Sequence, residues 1–201
     1  MSIKLIKSQF NQYNAGWRKS FAEGFSQDEN GNALPWMTYS FIEYIKKNIQ
    51  PHHEIFEYGC GASTLFFAPR VKKIVALESN EMWMRLMQVR LLEAGINNVE
   101  IILMEDGFLN PDYEHFAKTY SKKFNQKFDF IFVDSLKRAE CAKHSYVALK
   151  DNGMLVVDDS ERKSYKKIFS FFAKKEFKKQ DFFGIAPGQF YLKNTTAFWK
   201  E

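Results

Sequence analysis

The run Glu57-Tyr58-Gly59-Cys60-Gly61-Ala62-Ser63-Thr64 sets an acid ahead of two glycines, between an apolar run (Ile55, Phe56) and a helix-like one (Leu65 to Ala68). A glycine turn joining a strand to a helix brings bare backbone N–H groups up to a ligand, because no Cβ stands in the way. The acid decides the sign of that ligand. A pyrophosphate would be repelled by Glu57, whereas a positively charged group would gain from it. Carboxylates recur where later apolar runs end: Glu78, then Glu105 and Asp106, then Asp134, then Asp158 and Asp159. Any one of them could be merely solvated. Together, at one edge of a sheet, they describe a cleft of negative potential suited to a cation or to ribose and amine donors.

The elements that must position these acids follow from periodicity. Residues 54–58, 73–78, 99–104, 128–134 and 153–158 read as strands, and Phe128 to Asp134 is a continuous apolar run of the kind buried on both faces of a parallel sheet. Helical patterns alternate with them over 62–68, 81–94, 112–124, 138–149 and 162–177, and Gly95 closes the second. Two last strand-like runs, near 182–185 and 195–199, flank a Pro187-Gly188 turn and predict an antiparallel finish. The expected fold is α/β: a doubly wound, mostly parallel seven-stranded Rossmann-like sheet, with helices on both faces and an antiparallel final strand. Residues 1–50 are expected as an irregular N-terminal arm and one helix (36–49) covering the cleft with Trp36, Met37 and Tyr39, and residues 51–201 as the ligand-binding domain.

Composition bounds the rest. A chain of 201 residues with 45% hydrophobic and 26% charged side chains has the makings of one α/β domain, and its 21 phenylalanines imply a bulky aromatic core. No apolar stretch has the length of a membrane span, and the first residues lack a signal-peptide core. Two cysteines do not make a disulfide framework, so a reducing cytoplasm is the expected compartment. The net charge of +5 permits an anionic partner without requiring one.

At the second strand tip Glu78 can accept from the two hydroxyls of an adenosine ribose, and Asp106 after the third strand from an adenine amino group. Ser63 and Thr64, at the first helix start, read equally as caps and as ligand contacts. EYGCGAST, then VALE, MEDG and FDFIFVDSLK, resemble the class I S-adenosylmethionine-dependent methyltransferases over roughly residues 54–160. The resemblance implies S-adenosylmethionine as cofactor. It assigns the methionine end to Glu57, Gly59 and Gly61 with Ser63 and Thr64, the ribose to Glu78 with Ser79, and the base to Asp106 with Gly107, while Asp134 reaches the cofactor's ammonium. The chain also looks like a bacterial group with PWMTYS before the first strand and D-x-x-x-R-x-x-C after the fourth, here Asp134 to Cys141.

A finer resemblance is to metal-dependent O-methyltransferases of the catechol and caffeoyl-coenzyme A type. It implies Asp134, Asp158 and Asp159 as ligands of Mg²⁺, with Lys137 taking the acceptor proton and Asp134 and Asp158 at the catalytic centre. Asp158-Asp159 read alternatively as a cap of the next helix. The expected activity is methyl transfer to a small-molecule acceptor at oxygen, with a non-catalytic nucleoside-binding module and an RNA methyltransferase as rival readings.

Other signals carry less. A nicotinamide site would need a third glycine where Thr64 stands. Asn110-Pro111-Asp112-Tyr113 is similar to an N-P-P-Y signature but follows the third strand rather than the fourth, and so reads as a helix-start turn. The lysines between Lys163 and Lys179, interleaved with Phe169, Phe171, Phe172 and Phe177, fit a solvated helix face over an aromatic core better than a nucleic-acid surface. His52 and His53 precede the first strand and fall at the wrong edge, and His115 is the one acceptor-side base candidate among the histidines.

Overall fold

Seven strands in the order β3-β2-β1-β4-β5-β7-β6 form one sheet in a computed structural model that describes residues 2–200. In chain order these are β1 (Glu54–Tyr58), β2 (Lys73–Glu78), β3 (Val99–Leu103), β4 (Phe128–Val133), β5 (Leu149–Val157), β6 (Lys178–Gly184) and β7 (Lys193–Trp199). The first five pair in parallel, and β7 inserts antiparallel between β5 and β6. That is the expected architecture, with β7 as its antiparallel member. The chain winds outward from β1 to β3 and returns to the other side of β1 at β4. The gap between the ends of β1 and β4 is therefore the switch point where a doubly wound sheet opens for a ligand.

Among the described residues seven α-helices cover the sheet: α1 (Ser2–Glu23), α2 (Tyr39–Asn48), α3 (Ala62–Phe67), α4 (Glu81–Glu93), α5 (Phe116–Phe124), α6 (Arg138–Ser145) and α7 (Lys166–Ala173). The side-chain period of two divides the core. Ile55, Ile74, Phe130, Phe132 and Val156 face one layer with Phe41, Ile42 and Ile45 of α2 and Phe66 and Phe67 of α3. Phe56, Val75, Ile131, Val133 and Val157 face the other, with Ala117 and Tyr120 of α5, Cys141 and Ala142 of α6 and Ile168 and Phe172 of α7. Among the described residues no helix is long and apolar enough to cross a membrane. Both cysteines are free and buried.

The N-terminal segment corrects the expectation of an irregular arm. Residues 2–23 are helical, with a kink at Tyr13. The turn signals Asn30-Gly31-Asn32 and Pro35 belong to the loop that follows this helix, and Gly16 sits mid-helix, where propensity argues against it. Packing explains that glycine: a Cβ there would lie 2.9 Å from the backbone of Asp28 and Glu29. Tertiary contacts supply what propensity lacks. Gln9 Oε1 accepts from Ile185 N at 2.9 Å, Trp17 Nε1 donates to Gln189 O at 3.1 Å, and Tyr13 stacks on Tyr39 at 3.9 Å. Met37 and Tyr39 are likewise buried in the core and do not face the cleft.

Candidate functional site

Each parallel ladder runs one bond past its strand end, and this levels the ends of the strands. Gly59 N donates to Leu77 O (2.8 Å), Asp134 N to Tyr58 O (3.3 Å), Asp158 N to Val133 O (3.2 Å) and Met104 N to Glu78 O (2.8 Å). By the same alternation that divides the core, Glu57, Asp134 and Asp158 fall on the face that carries α2 and α3. A cavity of about 170 Å³ opens there, lined by Glu57, Gly59, Gly61, Ser63 and Asp134 and walled by the rings of Phe25, Trp36, Trp83 and Phe132. An apolar cavity of about 150 Å³ holds one benzene, so this space accommodates the amino-acid end of a ligand rather than a whole nucleoside.

The glycine turn is fixed from both sides. Gly59 has φ +94°, and a Cβ there would press at 3.3 Å on Asp134 O and Ser135 Cβ, so the close approach of β1 to β4 requires glycine. Trp83 Nε1 donates to Cys60 O at 2.7 Å. Thr64 Oγ1 accepts from Gly61 N at 3.0 Å and donates to Glu57 at 2.7 Å. That hydroxyl is fully engaged and buried, so Thr64 orients Glu57 and does not line the cavity, whereas Ser63 does.

Glu57 has no cationic partner among the ion pairs of the described residues. Burial pushes its carboxyl up to about 7; hydrogen bonds from Thr64 and Ser63 oppose the rise, and the charge of Asp134 adds to it. A buried acid in that condition gains from any ligand cation placed against it.

At the neighbouring strand end, Glu78 is buried and accepts from Ser79 N (2.8 Å), Asn80 N (2.9 Å) and Cys60 N (3.1 Å), with the Cys60 thiol at 3.5 Å. It thus ties the end of β2 to the glycine turn. The thiol contact is the weakest of the four and the one a hydroxyl can displace. Gly107 lies close by: a Cβ there would meet the Tyr113 ring at 2.7 Å and Ser79 Cβ at 3.0 Å. Asp106 is exposed, in the left-handed region at φ 53°, and turns the loop that follows β3.

The β4–β5 side differs. Asp134 is half-buried, with Oδ1 2.8 Å from Arg138 Nη2. Asp159 Oδ2 lies 2.9 Å from Arg138 Nη1 and also pairs with Arg162. Asp158 is buried against Lys193 and accepts from Thr195 Oγ1 at 2.7 Å. Burial, then the charge of Asp134, lifts Asp158 to about 7 despite Lys193. Burial works against the Lys193 ammonium, but Asp158, Asp134 and Asp159 overcome it and hold its pKa above the ordinary lysine value.

Two expectations fail on this geometry. The three aspartates do not fit a divalent cation: Arg138, Lys193 and Arg162 already neutralise them, and among the described residues no group of His, Cys, Asp or Glu is arranged to hold a metal. Nor is Lys137 placed as a base. Its ammonium donates to Asn110 O (3.0 Å) and Glu114 Oε2 (2.8 Å), away from the cavity lining. Burial opposes ionisation of Glu114, yet the bond from Lys137 draws its carboxyl below the usual range. Together with the Tyr113 hydroxyl, which donates to Ser135 Oγ at 2.8 Å, Lys137 latches the loop after β3 to the loop after β4.

Sequence reasoning missed Phe25, Trp83 and Lys193. Neither ring carries a motif, and Phe25 lies in the wall with Arg90 of α4 over it, 4.0 Å from the ring centroid. Lys193 begins a strand that starts, rather than ends, at the cleft edge, so no search of strand ends would find it.

No family model matches the chain, and no curated protein matches its sequence. Solved structures do match it in shape. A precorrin-6y C5,15-methyltransferase from Geobacter metallireducens has a TM-score of 0.58 at 14% identity, over 90% of this chain and 96% of that one. An rRNA methylase from Streptococcus thermophilus has a TM-score of 0.57 at 14% identity, over 79% and 92%. Fibrillarin from Aeropyrum pernix, solved with natively bound S-adenosyl-L-methionine, has a TM-score of 0.54 at 14% identity, over 75% and 67%. The chain has the Rossmann-like fold of the S-adenosylmethionine-dependent methyltransferases.

Proposed function

We propose that this protein binds S-adenosylmethionine at the β1–β4 switch point and transfers its methyl group to a small-molecule acceptor, at oxygen, in a reducing cytoplasm. The observation that carries the reading is Glu57: a buried acid with no cationic partner among the described residues, facing a cavity walled by aromatic rings beside a glycine turn. Aromatic faces and a carboxylate attract a cation and disfavour a phosphate, which separates this cleft from a dinucleotide site. Fibrillarin's bound cofactor, in the same fold, supports the choice of ligand.

When bound, the cofactor supplies an electrophilic methyl carbon on a sulfonium. The chain's own residues then have three tasks. Glu57 would hold the ligand's ammonium, and Glu78 would take the ribose hydroxyls as the Cys60 thiol gives way. The rings of Phe25 and Trp36 exclude water and orient the acceptor, where good alignment is worth up to about 7–11 kcal/mol. Asp134 lines the cavity and, by burial, has a carboxyl pKa above the ordinary aspartate value, which suits it to receive the acceptor's proton.

Calorimetry with S-adenosylmethionine and S-adenosylhomocysteine, in chelator, tests the first half. Binding is expected with both, weakened in Glu57→Gln and Glu78→Ala. A folded protein that binds neither would end the reading. Transfer of labelled methyl to a panel of hydroxyl compounds tests the second half, and binding without any transfer would favour a non-catalytic module. An RNA acceptor has less support: the exposed Lys163, Lys166, Lys167 and Lys174 belong to the α7 side of the sheet, opposite the layer that holds the cavity.

A further inference from the structure

Lys193 enters the sheet at the start of β7 and carries its ammonium into the cluster at the ends of β4 and β5. Three oxygens lie close to that ammonium: Asp158 Oδ2 and the carbonyl of Trp36 (3.2 Å) accept hydrogen bonds from it, and Asp159 Oδ1 stands 2.7 Å away as an ion-pair contact. Buried among three oxygens that it bonds to or pairs with, the ammonium is not presented to a substrate. Both the lysine and its two carboxylates are almost wholly buried. Arg138 completes the arrangement by spanning Asp134 Oδ1 and Asp159 Oδ2, so each strand-end aspartate has a cation supplied by the chain itself.

We propose that Lys193 is a resident internal cation: its ammonium fills the oxygen cage that Asp158 and Asp159 at the end of β5 make with the Trp36 carbonyl, in the place a divalent metal would otherwise take, and through that carbonyl it sets one wall of the cleft. The cleft on this account works without a metal, and Lys193 is a positioning residue for ligand binding. The argument stands on the cage alone and survives if the methyl-transfer reading fails, because metal uptake is measured directly.

The geometry explains why the cage takes one occupant or the other. Two cations cannot share three oxygens a few ångströms apart without strong repulsion. Oxygen donors of this kind suit hard divalent ions once the ammonium is gone. The Trp36 carbonyl accepts from that ammonium, and the same residue's indole is anchored separately, by Nε1 donating to Pro187 O at 2.7 Å.

The test uses the full chain freed of metal by chelation, with Mn²⁺ as the probe. Calorimetry and thermal unfolding of the unaltered protein should register no uptake, and S-adenosylhomocysteine should bind equally in chelator and in Mg²⁺. Lys193→Ala should melt well below the parent and recover part of that loss on adding Mn²⁺ or methylammonium, with Mn²⁺ uptake now visible. Should the single variant not fold, Lys193→Met keeps the packing of the stem and both aspartates of the cage, and is read for Mn²⁺ uptake in its place. A purely structural lysine would show the melting loss without rescue by either small cation. Stoichiometric Mn²⁺ uptake by the unaltered protein that Asp158→Asn abolishes would overturn the proposal. So would the absence of uptake and of methylammonium rescue in whichever lysine variant folds.

Discussion

The two halves of the carboxyl edge are both acidic, yet they treat their acids in opposite ways. On the β1–β2 side, Glu57 and Glu78 are held by a threonine hydroxyl, a thiol and backbone N–H groups, all neutral donors. On the β4–β5 side, Asp134, Asp158 and Asp159 are held by Arg138, Arg162 and Lys193. Neutral donors orient a carboxylate without cancelling its charge, so the first pair still has a positive ligand to gain. Cations of the chain itself cancel Asp158 and Asp159 and make them part of the framework, while Asp134, paired through one oxygen with Arg138, still lines the cavity. A count of acids at strand ends cannot tell these cases apart; their partners can.

The largest effect expected from this contrast is on folding. Asp158→Ala leaves Lys193 buried without its main partner and should lower stability by about 3–5 kcal/mol, read by chemical denaturation. The corresponding change on the other half, Glu57→Gln, should behave in the reverse sense. Folding is not harmed, while affinity for S-adenosylhomocysteine falls by about 1.5–3 kcal/mol, the worth of a charge-assisted bond, read by calorimetry. Loss of ligand binding in Asp158→Ala with no loss of stability would break the comparison.

The pH dependence sharpens it further. The Glu57 carboxyl sits near 7 in the unliganded fold, and a bound ammonium favours its ionised form. Ligand affinity should therefore hold steady above pH 7 and decline as pH falls below it, approaching tenfold per pH unit, and the decline should vanish in Glu57→Gln. The stability term has the opposite slope. A carboxyl raised from about 4.5 binds more protons folded than unfolded between those values, so its contribution is intact at low pH and is lost as pH rises through 7. Glu57→Gln should accordingly gain stability over the parent at pH 8, measured by denaturation at several pH values. A smaller effect is expected from Thr64→Val, which removes the hydroxyl that orients Glu57. It should cost about 1 kcal/mol in stability and weaken ligand binding less than Glu57→Gln does.

Much of the frame was legible in the residues. β1 and β2 fall on the expected residues, because continuous apolar runs between turn signals leave a buried parallel strand few alternatives. The stretch from 162 to 177 reads as a helix, and the lysines between Lys163 and Lys179 as a solvated face over an aromatic core. In the fold, Ile168 and Phe172 are indeed buried beneath exposed lysines, although the regular helix is confined to Lys166–Ala173. The first helix was not legible, since its stability comes from Gln9, Trp17 and Tyr13 meeting residues from much later in the chain or from across the fold.

The sequence by itself determined the doubly wound sheet, the glycine turn and the row of acids along one edge, because apolar period and turn chemistry are local properties of the chain. Which acids face a ligand was decided only in three dimensions. Lys193 lies 35 residues beyond Asp158 and reaches it from an inserted antiparallel strand, and Lys137 turns to Glu114 instead of the cavity. Charge pairing depends on distance through space, and the linear order of residues carries no record of it.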